Sequence, residues 1–313
     1  MGVSNDSAEK WTFTFNMRFA YLILAHNSFG LLKELISFLD NPNNDIYIHL
    51  DEKIGVVDFT QFLSLSHYSK VCFIDKRVDV AWGGVSLVEA TLNLLEASVD
   101  GKYDYYHLLS GVDFPIKSNE YIQKFFKENE GKEFIGFANH CLESMLVNRL
   151  SYYHIFNGHG IRNSFIIRGI NAILINIQKL FHIHHHFPVN NYKKGAEWFS
   201  ITHGLCKDIV DEKGFILKHY KYTLMPDEIF LQSYVYNSDK YKNNLYNDKD
   251  EDLGCMRKID WLRGQPYVWQ LKDYEELVTS PYLFARKFSE RDMVLIHKLS
   301  LLNNKTRGTV PVS

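Results

Sequence analysis

The strongest constraint on the fold is an alternation of short apolar runs with helical patterns over residues 18–137. Residues 18–25 (RFAYLILA), 45–50 (DIYIHL), 70–74 (KVCFI), 103–109 (YDYYHLL) and 133–137 (EFIGF) read as strands. Helical spacing appears at Leu31, Leu32, Leu35, Ile36 and Leu39, again from about Val85 to Ala97, and near 119–127. Apolar strands joined by crossover helices build a parallel sheet covered on both faces, so the expected class is α/β. Three of these strands run into polar residues: His26 and Asn27, then Asp51, Glu52 and Lys53, then Ser110, Gly111 and Asp113. In open α/β sheets ligands bind beyond the carboxyl ends of the strands, which makes these residues the first candidates for a site. Gly111 and Asp113 equally suit a plain tight turn.

No GxGxxG or GxxxxGK[ST] opens a helix, so neither a dinucleotide fingerprint nor a P-loop is present. The formal net charge of -2 gives no whole-molecule field suited to nucleic acid, and none is expected as a partner. With 313 residues, 46% hydrophobic, the chain can bury a sizeable core. Cys72, Cys141, Cys206 and Cys255 are far apart with no CxxC, which suggests reduced thiols in an intracellular setting. No run approaches the roughly 20 apolar residues of a membrane span. Residues 1–16 are polar and precede a second methionine, Met17; they read as a loosely held leader, and 304–313 as a tail.

The second half is less regular. Residues 164–183 fit a long helix, followed by His182, His184, His185 and His186, a surface tract with incidental metal affinity. Residues 195–202 read as a strand, about 203–212 as a helix, 256–261 as an edge strand, and 273–278 and the stretch to Leu302 as helices. Pro226, Asp227 and Glu228 open a helix, where acids suit the dipole. The nearest approach to a metal-binding Asp-x-Asp is Asp248 to Asp252, in an Asn- and Lys-rich stretch that reads as a solvated acidic run. Arg257-Lys258 and Arg286-Lys287 lie in apolar segments. Such pairs can bind phosphate, Arg as a fork and Lys as a point charge, or be simple surface charge.

Taken in order, AYLILAHN (20–27), IHLDEK (48–53), WGGVSLVEA (82–90), YHLLSGVDFPIKS (106–118), GAEWFSIT (195–202), YKYTLMPDEIF (220–230) and YLFARKF (282–288) resemble the core-2/I-branching and peptide O-xylosyltransferase family, glycosyltransferase family 14. The resemblance implies a GT-A-type fold with a mostly parallel sheet, in one domain over 17–303. Residues 17–137 would form the nucleotide-binding half and 138–303 the acceptor and catalytic half. It implies an inverting enzyme that moves a sugar, GlcNAc or xylose, from a UDP-sugar to a glycan hydroxyl. No metal or other cofactor is required, because basic side chains serve the diphosphate.

By position, Glu228 matches the catalytic base, and Arg286 and Lys287, with Arg257, match the diphosphate contacts. Asp51, with His26 and Lys53, falls at the nucleotide end, and Glu197 near the acceptor. Ser110, Asp113, Trp82 and Trp198 complete the sugar side, the tryptophans against a sugar face. Ala196 stands where relatives often carry Ser. Without an anchor the chain resembles bacterial members. That implies a cytoplasmic protein at the inner face of the membrane, with peripheral membrane association, building surface polysaccharide. The competing class is a non-catalytic nucleotide-sugar or glycan-binding protein on the same fold, which needs no base.

Overall fold

A computed structural model of the chain describes residues 17–138, 143–157, 164–185 and 191–303. The leader at 1–16, the tail at 304–313, Cys141 and His186 lie outside the described residues. Four strands run parallel: β1 (Phe19–Ala25), β2 (Asn44–Leu50), β3 (Val71–Phe73) and β4 (Tyr105–Ser110). A second, small sheet begins with β5 (Asp113–Pro115). Then β6 (Phe134–Ile135) and β7 (Phe199–Thr202) complete the main sheet in the order β3-β2-β1-β4-β7-β6, with β7 antiparallel to both neighbours. A parallel centre with an antiparallel edge is a common form of a large mixed sheet.

Successive side chains of a strand point to opposite faces, and β1 shows this directly. Phe19, Tyr21 and Ile23 enter one core layer with Leu35, Phe114 and Ile296. Ala20 and Leu22 enter the other with Leu92, Tyr106 and Leu205. The first layer joins residues near the start of the described chain to residues near its end, so both halves of the sequence share one core.

The small sheet is completed by β8 (Arg257–Ile259) and β9 (Phe284–Arg286), in the order β5-β9-β8. The segment after Ser110, read from sequence as a turn, therefore turns and then pairs. Gly111 makes the turn, its N–H donating to the Leu24 carbonyl at 2.9 Å. Asp113 lies in register with Arg286.

Arg257 corrects an expectation. It is 1% exposed and sits between the two sheets, not on an open surface. Its guanidinium donates to the carbonyls of Cys255 (2.6 Å), Phe199 (2.9 Å) and Leu108 (3.2 Å) and lies 4.3 Å from the Phe284 ring centre. Burial pulls its pKa down to about 10. It works as a clamp that joins β8 to β4 and β7.

Glu133, beside β6, is 2% exposed and accepts from the Thr202 N–H at 2.9 Å and the Thr202 hydroxyl at 2.6 Å. Burial pushes its pKa up to about 7. A carboxyl whose folded pKa is raised stabilises below its unfolded value and loses that contribution as pH rises through the folded one. Stability should therefore fall by about 2–3 kcal/mol between about pH 5 and about pH 9 from this group, and Glu133→Gln should flatten that slope. Urea unfolding of both proteins at the two pH values checks it; an unchanged slope in the variant would refute the assignment.

The expected helix at 164–183 spans Phe165–Leu180, and its buried residues are Asn171 and Gln178. His182 and His184 are exposed, as a surface tract should be. Cys72, Cys206 and Cys255 are free thiols. Among the described residues no helix is long and apolar enough to cross a membrane.

Candidate active site

A cleft of about 1790 Å³ opens beyond the ends of β1, β2 and β4. His26, Asp51, Lys53 and Ser110 line it, as their positions at strand ends predict. Asp51 is 7% exposed, and its Oδ1 accepts from the Lys53 N–H at 2.9 Å, fixing the turn Glu52–Ile54. The Lys53 ammonium lies 2.6 Å from Asp79 Oδ1 and 3.8 Å from Asp51 Oδ2. Trp82 stands on the wall at 49% exposure.

On one side the cleft is basic. Arg286 leaves β9 with its Nη1 donating to Asp113 Oδ1 at 2.8 Å and to the Ser110 hydroxyl, and its guanidinium lies 4.6 Å from the centre of the Trp198 ring. Asp113 is 1% exposed, and its other oxygen accepts from the Ser110 N–H at 2.7 Å. Its carboxylate is therefore committed to the protein, which corrects the expectation of a sugar contact: Asp113 positions Arg286. Trp198, 4% exposed, is a platform for the same guanidinium, not an open stacking face. Held this way, Arg286 needs little reorganisation to meet negative charge. Lys287 also lines the cleft, and its backbone is tied to the neighbouring loop through Tyr267 O (3.3 Å) and Trp269 N (3.0 Å).

On another side the cleft is acidic. Glu228 closes the turn Pro226–Glu228, and its Oε2 lies 2.8 Å from Arg149 Nη1 and 3.2 Å from Lys194 Nζ. Among the described residues no donor reaches Oε1. Neither cation was anticipated, since each comes from a segment without a motif. The Glu228 carbonyl accepts from the Gly195 N–H at 2.9 Å, which sets Glu197 beside it. A Cβ on Gly195 would stand 1.9 Å from the Gly136 carbonyl, so only glycine fits there.

Glu197 and Asp227 also line the cleft, close enough for the charge of one to act on the other. Burial raises both carboxyls, Glu197 further through the charge of Asp227 and Asp227 further through the charge of Glu228. Neighbouring buried carboxyls titrate as a pair, each in an environment that disfavours its charged form. The only sequence signal for Asp227 was its place next to Glu228.

The acidic run is another correction. Asp248 and Lys249 are exposed, but Glu251 and Asp252 are half-buried in the cleft wall. Asp250 caps their short helix by accepting from the Leu253 N–H at 2.8 Å. Burial pushes Asp252 up to about 7. Among the described residues no group of three or more His, Cys, Asp or Glu is placed to hold a metal ion. Chemically, the cleft can hold an anion against Arg286 and Lys287 and take a proton on a carboxylate.

A family model described as Core-2/I-Branching enzyme matches residues 19–279, a span that includes Glu228 and stops short of Arg286 and Lys287. A xylosyltransferase of Ciona intestinalis is 24% identical over 296 residues, which cover 88% of this chain and 32% of that protein. Xylosyltransferase 2 of Homo sapiens is 25% identical over 303 residues, covering 87% and 32%. Xylosyltransferase 2 of Rattus norvegicus is 24% identical over 302 residues, with the same coverage. The chain thus spans about a third of the length of these curated relatives.

Proposed function

The chain belongs to the core-2/I-branching enzyme family, and from that premise we propose that it is an inverting, metal-independent glycosyltransferase acting on a UDP-sugar. The observation that carries this reading is a single cleft lined by a carboxylate held between two cations and by an arginine locked in place by Asp113. In the reaction an acceptor hydroxyl attacks the anomeric carbon and the bond to the diphosphate breaks. Glu228 takes the hydroxyl proton. Arg286 and Lys287 take up the negative charge that develops on the diphosphate, the work a divalent ion would otherwise do. Asp51, Lys53 and His26 receive the nucleotide end, and Trp82 a sugar face. The sugar is xylose, which the names of the xylosyltransferase relatives favour, or GlcNAc. The acceptor is a glycan of the surface polysaccharide kind, worked on from the cytoplasmic side; the free thiols suit a reducing compartment.

Calorimetry with UDP tests the centre of the proposal. UDP should bind as tightly in EDTA as in Mn²⁺, and Lys287→Ala should weaken it by about tenfold or more. Lys287 is the cleaner substitution, because removing Arg286 also strips buried Asp113 of its partner. A requirement for Mn²⁺ would remove the metal-independent reading, and binding indifferent to Lys287→Ala would remove its role.

A further inference from the structure

The helix Phe165–Leu180 turns two polar side chains inward. Asn171 and Gln178 are each 7% exposed. Gln178 accepts from the Tyr153 N–H at 2.8 Å and donates to the Tyr153 carbonyl at 3.1 Å, and Asn171 meets His154 Nδ1 at 3.4 Å. Its outer face is apolar. Ile166, Ile170, Ile173 and Ile177 follow one another at helical spacing, all exposed, with Phe165 at 83% and Leu180 at 73% exposure at the two ends. The stripe is about 24 Å long, and a protein surface seldom leaves so continuous an apolar face in water.

Charge indicates what covers it. From Ser144 through Ala196 the sequence carries no Asp or Glu, against six Lys or Arg and six His. The whole chain has a formal charge of -2, so the remainder carries -2 - 6 = -8. Arg168 and Lys179 are both exposed, one near each end of the stripe. A second copy of this face would set like charge against like. An apolar stripe bounded by basic residues and free of acids suits the headgroup layer of an anionic bilayer.

We propose that the helix Phe165–Leu180 docks the protein on the surface of a membrane that carries anionic lipids, with its axis in the membrane plane. This stands independently of the transferase reading, and its test uses neither donor nor acceptor. The full chain should sediment with vesicles of phosphatidylcholine mixed with phosphatidylglycerol and stay in solution with phosphatidylcholine alone. Ile170→Asn with Ile173→Asn should lower binding at least about tenfold, through lost apolar burial. Arg168→Glu with Lys179→Glu should do the same through charge, and neither pair should move the unfolding midpoint, since all four side chains are exposed. Failure of the unaltered chain to sediment, equal binding to both kinds of vesicle, or binding unchanged in either variant would overturn the proposal. A dimer in solution that the isoleucine pair splits would assign the face to a second copy and overturn it as well.

Discussion

Glu228→Gln should lower turnover by about 10²–10⁴-fold while the KM for the donor stays within a few-fold. Glutamine keeps the shape of the side chain, and its carbonyl oxygen can still accept from Arg149 and Lys194, the two cations that hold Oε2. What it loses is the ability to take a proton. An effect on turnover without an effect on donor binding is therefore the signature of a base, as opposed to a binding contact. Initial rates across a donor titration measure both quantities at once. Full turnover in the variant would remove Glu228 from the role and pass it to the carboxyl pair Glu197 and Asp227, which line the same cleft.

Arg257→Ala should cost about 3–5 kcal/mol of folding stability, while Lys258→Ala next to it costs about 1 kcal/mol or less. The difference follows from burial. Arg257 satisfies three carbonyls inside the protein, which are left short of donors when it is removed. The Lys258 ammonium pairs with Glu276 at 3.2 Å where that carboxylate is 43% exposed, so water replaces it cheaply. Urea titration of both variants decides the matter. If Arg257→Ala unfolds at the same midpoint but loses UDP, then the side chain reaches the ligand after all and the clamp assignment fails.

Much of the main sheet was legible because its strands are long enough to show a pattern. Phe19–Ala25 and Tyr105–Ser110 are apolar runs bounded by turn residues, and their polar ends meet at the cleft as that reading requires. The small sheet was only partly legible, because its strands are three residues each, shorter than any period that could announce them. Only its edge near Arg257 could be anticipated, and the roles of Arg257 and Asp113 were misread because each depends on partners in the hidden strands. Arg149 and Lys194 were invisible for a related reason. An ion pair that spans 79 residues, as Arg149 to Glu228 does, leaves no local trace in the sequence. The helix Phe165–Leu180 was legible as a helix, but not in its inverted orientation, since periodicity reports that a face is apolar and not which way it points.

The cross-strand partnership of Asp113 with Arg286 has a consequence for how the protein is made. The two residues are 173 positions apart. At about 5–20 residues per second, a ribosome finishes the first partner roughly 9–35 seconds before it supplies the second. During that interval the strands that carry His26, Asp51 and Ser110 can already pair, yet the cationic wall does not exist. A nascent chain should therefore gain donor affinity abruptly and late, only once the segment around Arg286 has cleared the exit tunnel.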